Sequence, residues 1–387
     1  MSFDFEQLLA RRGTGSAKWE LYPDDVLPMW VADMDFRSPE PVIRALHERA
    51  EQGTFGYSWR HARLAEVVCA RLERLYGWQV EPEAVVTVPS VVSAINQLCR
   101  AAGTPGDSVL TLTPAYPPFL SSPPHHQQVC DQVELRYEPG ERTLAYSLDL
   151  DALAAAFHER TRIFLLSNPH NPVGSIYDPA SLRQMAELCL RNNTLICSDE
   201  IHCDLMLGGA RHTPMASLSP EIADQTITLM SPSKTFNMPG LGCGLAIITN
   251  AELRKQFQEA GEGIVPHVNA MGLAAARAAF EECEPWLEAL RAYLTANRDL
   301  YVQYVSEMLP TLRTTVPEAT YLGWLDCRDA GISGVPYKFF LETAKVALSD
   351  GATFGAGGEG FVRLNFGCPQ PLLLEGLERM RAALVAL

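Results

Sequence analysis

From about Pro39 onward the apolar positions of this chain follow two alternating periods. Stretches with apolar residues three and four apart, such as Pro41 to Gln52 and Leu64 to Tyr76, predict amphipathic helices. Between such stretches stand short apolar, β-branched runs bounded by Gly, Pro or Asp. The clearest predict strands over Ala84–Val88, Ser108–Leu112, Arg162–Ser167, Thr194–Ser198, Thr226–Met230 and Gly244–Ile248. Strands this apolar belong in a sheet covered by helices on both faces. Helical patterns at Ser93–Ala102, Pro179–Arg191 and Glu252–Glu259 are long enough to cross over between parallel strands.

A long helical pattern from Pro285 through Leu309 then leads into a mixed region, with strand-like Gly323–Asp326 and Gly360–Leu364. A chain of 387 residues exceeds one ordinary hydrophobic core. The division expected is a large α/β domain over residues 46–284, with residues 1–45 and 285–387 forming an N-terminal arm plus a small α+β domain. No internal repeat or low-complexity tract suggests a solenoid.

Composition narrows the function. A formal net charge of −15, from acids spread along the chain, disfavours nucleic acid as a partner. No run approaches the roughly 18 apolar residues of a membrane span, so no membrane partner is expected. Ten cysteines stand singly without a C-x-x-C pair, and the stretch Met1–Glu6 lacks a secretory n-region, which together suggest reduced thiols in a cytoplasm. The nine histidines show no H-E-x-x-H spacing, so no metal is expected.

The chemistry concentrates in segments at the ends of predicted strands, where open α/β sheets hold ligands. They are Ser167–Gly174 with Asn171, Ser198–His202 with Asp199, Ser231–Asn237 with Lys234, and Phe361–Gly367 with Arg363. An enzyme using pyridoxal 5′-phosphate needs an amine to hold the aldehyde as a Schiff base and an acid beside the ring nitrogen. Lys234 and Asp199 suit these roles, although Asp199 equally suits a helix N-cap. Asn171 can donate to the ring's 3′-oxygen, or serve turn chemistry in Asn-Pro-Val-Gly. Ser90, Val91 and Val92 entering a helix, with Ser231 and Ser233, can cradle a phosphate through backbone N–H groups and hydroxyls. Arg363 on an apolar strand fits a bidentate grip on a substrate carboxylate, or a structural salt bridge. His202 is read as supporting the cofactor ring.

Together these residues resemble the fold-type I enzymes of the aspartate aminotransferase superfamily, in which the same four chemistries occur in the order Asn171, Asp199, Lys234, Arg363. The resemblance implies a mostly parallel seven-stranded sheet covered by helices. Within the superfamily the chain is similar to the MalY/PatB group of cystathionine β-lyases and cysteine-S-conjugate β-lyases. That likeness rests on Leu27-Pro28-Met29-Trp30-Val31-Ala32-Asp33-Met34-Asp35-Phe36, Phe55-Gly56-Tyr57, Asn168-Pro169-His170-Asn171-Pro172, Asp199-Glu200-Ile201-His202 and Ser233-Lys234-Thr235-Phe236-Asn237.

By that resemblance Tyr116 stacks on the ring, Trp30 and Asp33 join Arg363 at the substrate, and Tyr57 reaches the phosphate of a neighbouring subunit in a homodimer with shared active sites. The implied reaction is β-elimination from a sulfur-bearing amino acid. An aminotransferase using the same residues is the alternative, and binding of a transcription regulator, known for some members of the group, is a further class. Two positions depart from the pattern. Gly242 stands where many aminotransferases carry a phosphate-binding arginine, as expected of the lyases. The stretch Phe119–His126 reads as a loop of unusual composition, either a solvated His125–His126 pair or a reshaped substrate pocket suited to a tailoring lyase for a specialised metabolite.

Overall fold

The computed structural model describes residues 3–58 and 62–387; Met1 and Ser2 of the N-terminal stretch lie outside the described residues. In chain order the strands that matter are β1 (Val85–Val88), β2 (Ser108–Thr113), β3 (Val129–Glu134), β4 (Arg136–Pro139), β5 (Thr143–Ser147), β6 (Thr161–Ser167), β7 (Leu195–Asp199), β8 (Thr226–Met230), β9 (Gly244–Ile247), β10 (Arg313–Thr315), β11 (Leu322–Asp326), β12 (Ser349–Asp350) and β13 (Phe361–Asn365). A seven-stranded sheet runs β1-β9-β8-β7-β6-β2-β3, with β9 alone antiparallel to its neighbours. The α/β class and the mostly parallel seven-stranded sheet expected from the sequence are therefore what the chain adopts.

Alternation along the central strands sends side chains to both faces. Val109, Ile163, Leu165, Ile227 and Leu229 bury one face against Ala94, Ile95 and Leu98 of α3 (Val91–Ala102) and Phe257 of α7 (Ala251–Gly261). Leu110, Phe164, Leu166 and Ile196 bury the other against Leu182, Met185 and Ala186 of α5 (Pro179–Arg191). At roughly 25 cal/mol per Å² of apolar area removed from water, this two-sided burial is the main force holding the sheet flat against its helices.

A six-stranded sheet, β12-β13-β11-β10-β5-β4, carries Arg363 on β13. Its β4–β5 hairpin comes from within residues 46–284, so that span supplies strands to both sheets. The long α9 (Glu284–Met308) and α10 (Gln370–Val385) pack on this sheet through Leu287, Leu290, Leu294 and Leu377. The segment Leu27–Pro28 pairs with Val346–Ala347, which draws the N-terminal residues onto the same body.

Two expectations are corrected. The strand β3 at the sheet edge is missing from the sequence reading; its burial is mostly one-sided and its residues Asp131, Gln132 and Glu134 are polar, so no apolar run marks it. The stretch Phe119–His126 is not a loop: Pro117–His125 forms helix α4. Pro117 and Pro118 occupy the first turn, where no N–H is needed. Pro123 leaves the Phe119 carbonyl without its helical donor, and Cys130 Sγ meets that carbonyl at 3.8 Å. His125 is exposed at the last turn of α4, and His126 Nε2 meets Asn96 Oδ1 of α3 at 3.2 Å.

Candidate active site

The register of the parallel strands sets the site. Ser167 at the end of β6 lies beside Asp199 at the end of β7, and Asp199 lies beside Leu229, one residue before β8 ends. The Asn171 turn, the Asp199–His202 turn and the Lys234 turn thus leave the same sheet edge side by side.

Lys234 sits on α6 (Pro232–Thr235), a single turn capped by Ser231, whose hydroxyl accepts from Ser233 N–H at 3.1 Å. Its Nζ donates to the Ala32 carbonyl at 2.6 Å. Burial, reinforced by the nearby Arg363 cation, pushes the Lys234 amine down to about 8 against the opposing pull of Asp33 and Asp199. Asp199 is buried, and desolvation pushes its carboxyl up to about 7. One of its oxygens accepts from Ile201 N–H at 3.1 Å within a turn, no helix follows to be capped, and the other oxygen is left for a ligand. His202 is held down to about 3 by burial and by the cations Lys234 and Arg363, and its ring edge meets Tyr321 at 6.0 Å.

Arg363 reaches the site from the second sheet. Its guanidinium donates to Asn171 Oδ1 at 3.0 Å, to the Trp30 carbonyl at 3.1 Å and to Ser349 Oγ at 3.3 Å, and lies 4.9 Å over the Phe354 ring. No carboxylate pairs with it among the described residues, and burial pushes it down to about 10. The structural salt bridge weighed from the sequence is therefore absent there. A buried, unneutralised guanidinium costs several kcal/mol unless an anion arrives.

The anion cradle forms where α3 starts. Ser90 caps the helix, accepting from Ser93 N–H at 3.0 Å, and leaves the N–H groups of Val91 and Val92 unbonded within the helix. Ser231 donates to the Cys243 carbonyl at 2.6 Å, and its oxygen lies 2.8 Å from the Ser233 hydroxyl, which can donate to it. Gly242, with φ +59°, stands beside the Pro89 carbonyl, which a Cβ there would meet at 3.4 Å, an ordinary contact distance. Tyr116 begins α4, half-buried and within electrostatic reach of Asp199 and Arg363.

Three assigned residues stand differently from the rest. Asp33 is gripped by Arg11 at 2.6 and 2.9 Å, so its charge reaches Lys234 while its oxygens are engaged. Trp30 turns its indole away, donating to the Lys18 carbonyl at 3.2 Å, and meets Arg363 through its own carbonyl. Tyr57 is fully exposed and joins none of the others in this subunit. Sequence reasoning missed Ala32, Tyr321, Ser349 and Asn365, because a main-chain acceptor has no residue code and the two tyrosine and asparagine side chains lie in otherwise apolar strand ends.

The donor set fits pyridoxal phosphate: an amine, an acid, an amide and a cationic carboxylate holder surround a cradle of N–H and hydroxyl groups. Buried polar atoms without protein partners, His202 Nδ1 and Arg363 Nε, lie in the same place. The family model for aminotransferase class I and II matches residues 24–380.

The chain belongs to that family.

The family is pyridoxal-phosphate-dependent. Among its relatives is cystathionine beta-lyase PatB of Bacillus subtilis, 38% identical over 98% of this chain and 100% of PatB. The crystal structure of OvoB is 43% identical with a TM-score of 0.93, covering 99% of this chain and 100% of OvoB. Cystalysin from Treponema denticola, solved with its pyridoxal 5′-phosphate cofactor, matches all of both chains with a TM-score of 0.94 and 28% identity. Among the described residues no helix is long and apolar enough to cross a membrane.

Proposed function

We propose that this family member is a pyridoxal-phosphate-dependent carbon–sulfur β-lyase, cleaving cystathionine or a cysteine S-conjugate to thiol, pyruvate and ammonia. The observation that carries this reading is whole-length likeness to a named cystathionine beta-lyase in a chain whose Lys234, Asp199, Asn171 and Arg363 converge.

When bound, pyridoxal phosphate supplies an electron sink for the Cα electrons. The chain's own groups do the rest. Arg363 meets the substrate carboxylate with its unpartnered Nε–H and the spare Nη1–H. Lys234 removes the Cα proton at Nζ, an amine already lowered toward neutral pH by burial. Asp199, as a carboxylate, would hold a proton at the ring nitrogen. His202, kept neutral, and Asn171 present uncharged hydrogen-bonding groups to the ring. Ser90, Val91, Val92, Ser231 and Ser233 hold the phosphate, and Tyr116 covers the ring.

The working unit of this reading is a homodimer in which Tyr57, exposed in the single subunit, reaches the neighbouring site. The ten cysteines are all unpaired, which supports a reducing cytoplasmic setting.

The test is product analysis with cystathionine and an S-alkylcysteine, using Lys234→Ala as control. Thiol, pyruvate and ammonia in equal amounts support the lyase. Conversion of the cofactor to pyridoxamine phosphate, reversed by a 2-oxo acid, with no thiol released, makes the protein an aminotransferase instead.

A further inference from the structure

The segment Trp30–Met34 carries no helix or strand, yet each of its carbonyls is taken by a side chain. Trp30 O accepts from Arg363 and Ser349, Val31 O from Asn365 at 2.7 Å, Asp33 O from Asn365 at 2.8 Å and from Lys18 at 2.9 Å, and Met34 O from Asn237 and Arg11. In its middle the Asp33 N–H closes on the Val31 carbonyl at 2.9 Å, a three-residue turn that projects the Ala32 carbonyl outward. Two donors meet that carbonyl: Lys234 Nζ at 2.6 Å and the Tyr321 hydroxyl at 3.0 Å.

We infer that the Ala32 carbonyl is the seat of the Lys234 amine whenever that amine is not bonded to cofactor, and that Tyr321 and Asn365 are positioning residues that hold the seat. The inference rests on the proposed role of Lys234 in moving the Cα proton.

The seat has a chemical use. A free lysine amine on four rotatable carbons needs an anchor to stay near one proton. A neutral amine donating one N–H to Ala32 keeps its lone pair for the substrate. Once it has taken the proton it is an ammonium, and the same contact becomes charge-assisted and stronger. The acceptor therefore stabilises the product side of the transfer more than the reactant side, as catalysis requires.

Tyr321 fills the carbonyl's second lone pair and fixes its direction; it is buried and packed edge-on against His202. Asn365 clamps both ends of the turn with one amide, and its Oδ1 is itself fixed by Gly367 N–H at 2.7 Å. The charged groups facing the amine are Arg363, Asp33 and Asp199, with neutral His202 and Tyr321 beside them; burial holds the Tyr321 phenol protonated, so Tyr321→Phe removes no charge.

The experiment follows exchange of the L-alanine α-proton in deuterium oxide by proton NMR, using the cofactor-loaded full-length enzyme. Alanine has no leaving group, so exchange reports the Lys234 step alone. Failure of the lyase reading, seen as no thiol release, leaves this measurement intact.

Tyr321→Phe and Asn365→Ala are expected to slow exchange about tenfold each, with cofactor affinity unchanged, and Lys234→Ala to abolish it. A second readout uses the unloaded protein: reductive methylation of Lys234 across pH, read by peptide mass spectrometry. Its midpoint is expected to fall in both variants, because the ammonium loses a well-aimed acceptor. Wild-type exchange rates in both variants overturn the inference. So does slowed exchange with an unmoved midpoint, which marks a general structural defect.

Discussion

The Arg363 guanidinium donates to the Asn171 amide oxygen at 3.0 Å, joining a strand of the second sheet to a turn of the first, 192 positions apart. The contact orients both groups. With its oxygen occupied, Asn171 presents its NH₂ to the site, the donor an anionic ring oxygen requires. Arg363 is in turn held with two of its three nitrogens bonded, which leaves Nε for an arriving anion.

Arg363→Lys is therefore not conservative. A lysine reaches one partner at a time and frees the Asn171 amide to rotate. Losing roughly two charge-assisted hydrogen bonds predicts a fall in kcat/KM of about 100-fold, mostly in KM. Steady-state kinetics with an S-alkylcysteine checks it; unchanged KM counts against Arg363 as the carboxylate holder.

Asp199 gives a pH signature in the unloaded protein. Its folded carboxyl titrates near 7, above the usual value for an unfolded aspartate. The native state thus binds more protons than the unfolded one between about pH 4 and 7, and stability falls as pH rises through that window. Asp199→Asn removes this loss, so its unloaded melting temperature should exceed wild type by a margin that opens from pH 4 to 7 and then stays constant. Calorimetry across pH measures the margin, and the same variant should bind pyridoxal phosphate poorly.

Tyr57 and Lys234 should complement each other across subunits. Separately, Tyr57→Ala and Lys234→Ala dimers are expected to be weak or inactive. Refolded together in equal amounts, half the dimers carry one intact site, restoring about one quarter of wild-type activity. No recovery on mixing, with mixed dimers verified by mass, would place Tyr57 outside the partner's site.

Glu200 and His212 are hydrogen-bonded in the interior at 2.7 Å beneath the Asp199–His202 turn, and the same carboxylate accepts from Ser198 Oγ and Met215 N–H. Glu200→Ala strands three donors in the interior. The expected cost is about 3–5 kcal/mol from the unsatisfied donors, measured by urea unfolding of the unloaded protein. A variant as stable as wild type would show that water replaces the carboxylate.

Much of this molecule is legible without coordinates. Thr226–Met230 and Pro179–Arg191 form at the bounds their periodicity predicts, and Asp199, Lys234 and Arg363 fall on or just past their strands. Elsewhere the local code is silent. Strand β3 is too polar to announce itself, and the prolines of Pro117–His125 read as loop although the fold accepts them as a helix.

By itself the sequence determined the kind of most elements, the covered parallel sheet, the three chemistries at its edge and that of Arg363, because hydrophobic period and side-chain type act over a few residues. Only the tertiary structure decided that Arg363 meets Asn171, that Arg11 occupies Asp33, and that Lys234 rests on the Ala32 carbonyl beside Tyr321. Those contacts join segments far apart in the chain. Their strength comes from burial, which is the main cause that brings the Lys234 amine and the Asp199 carboxyl toward neutrality, and no residue code records it.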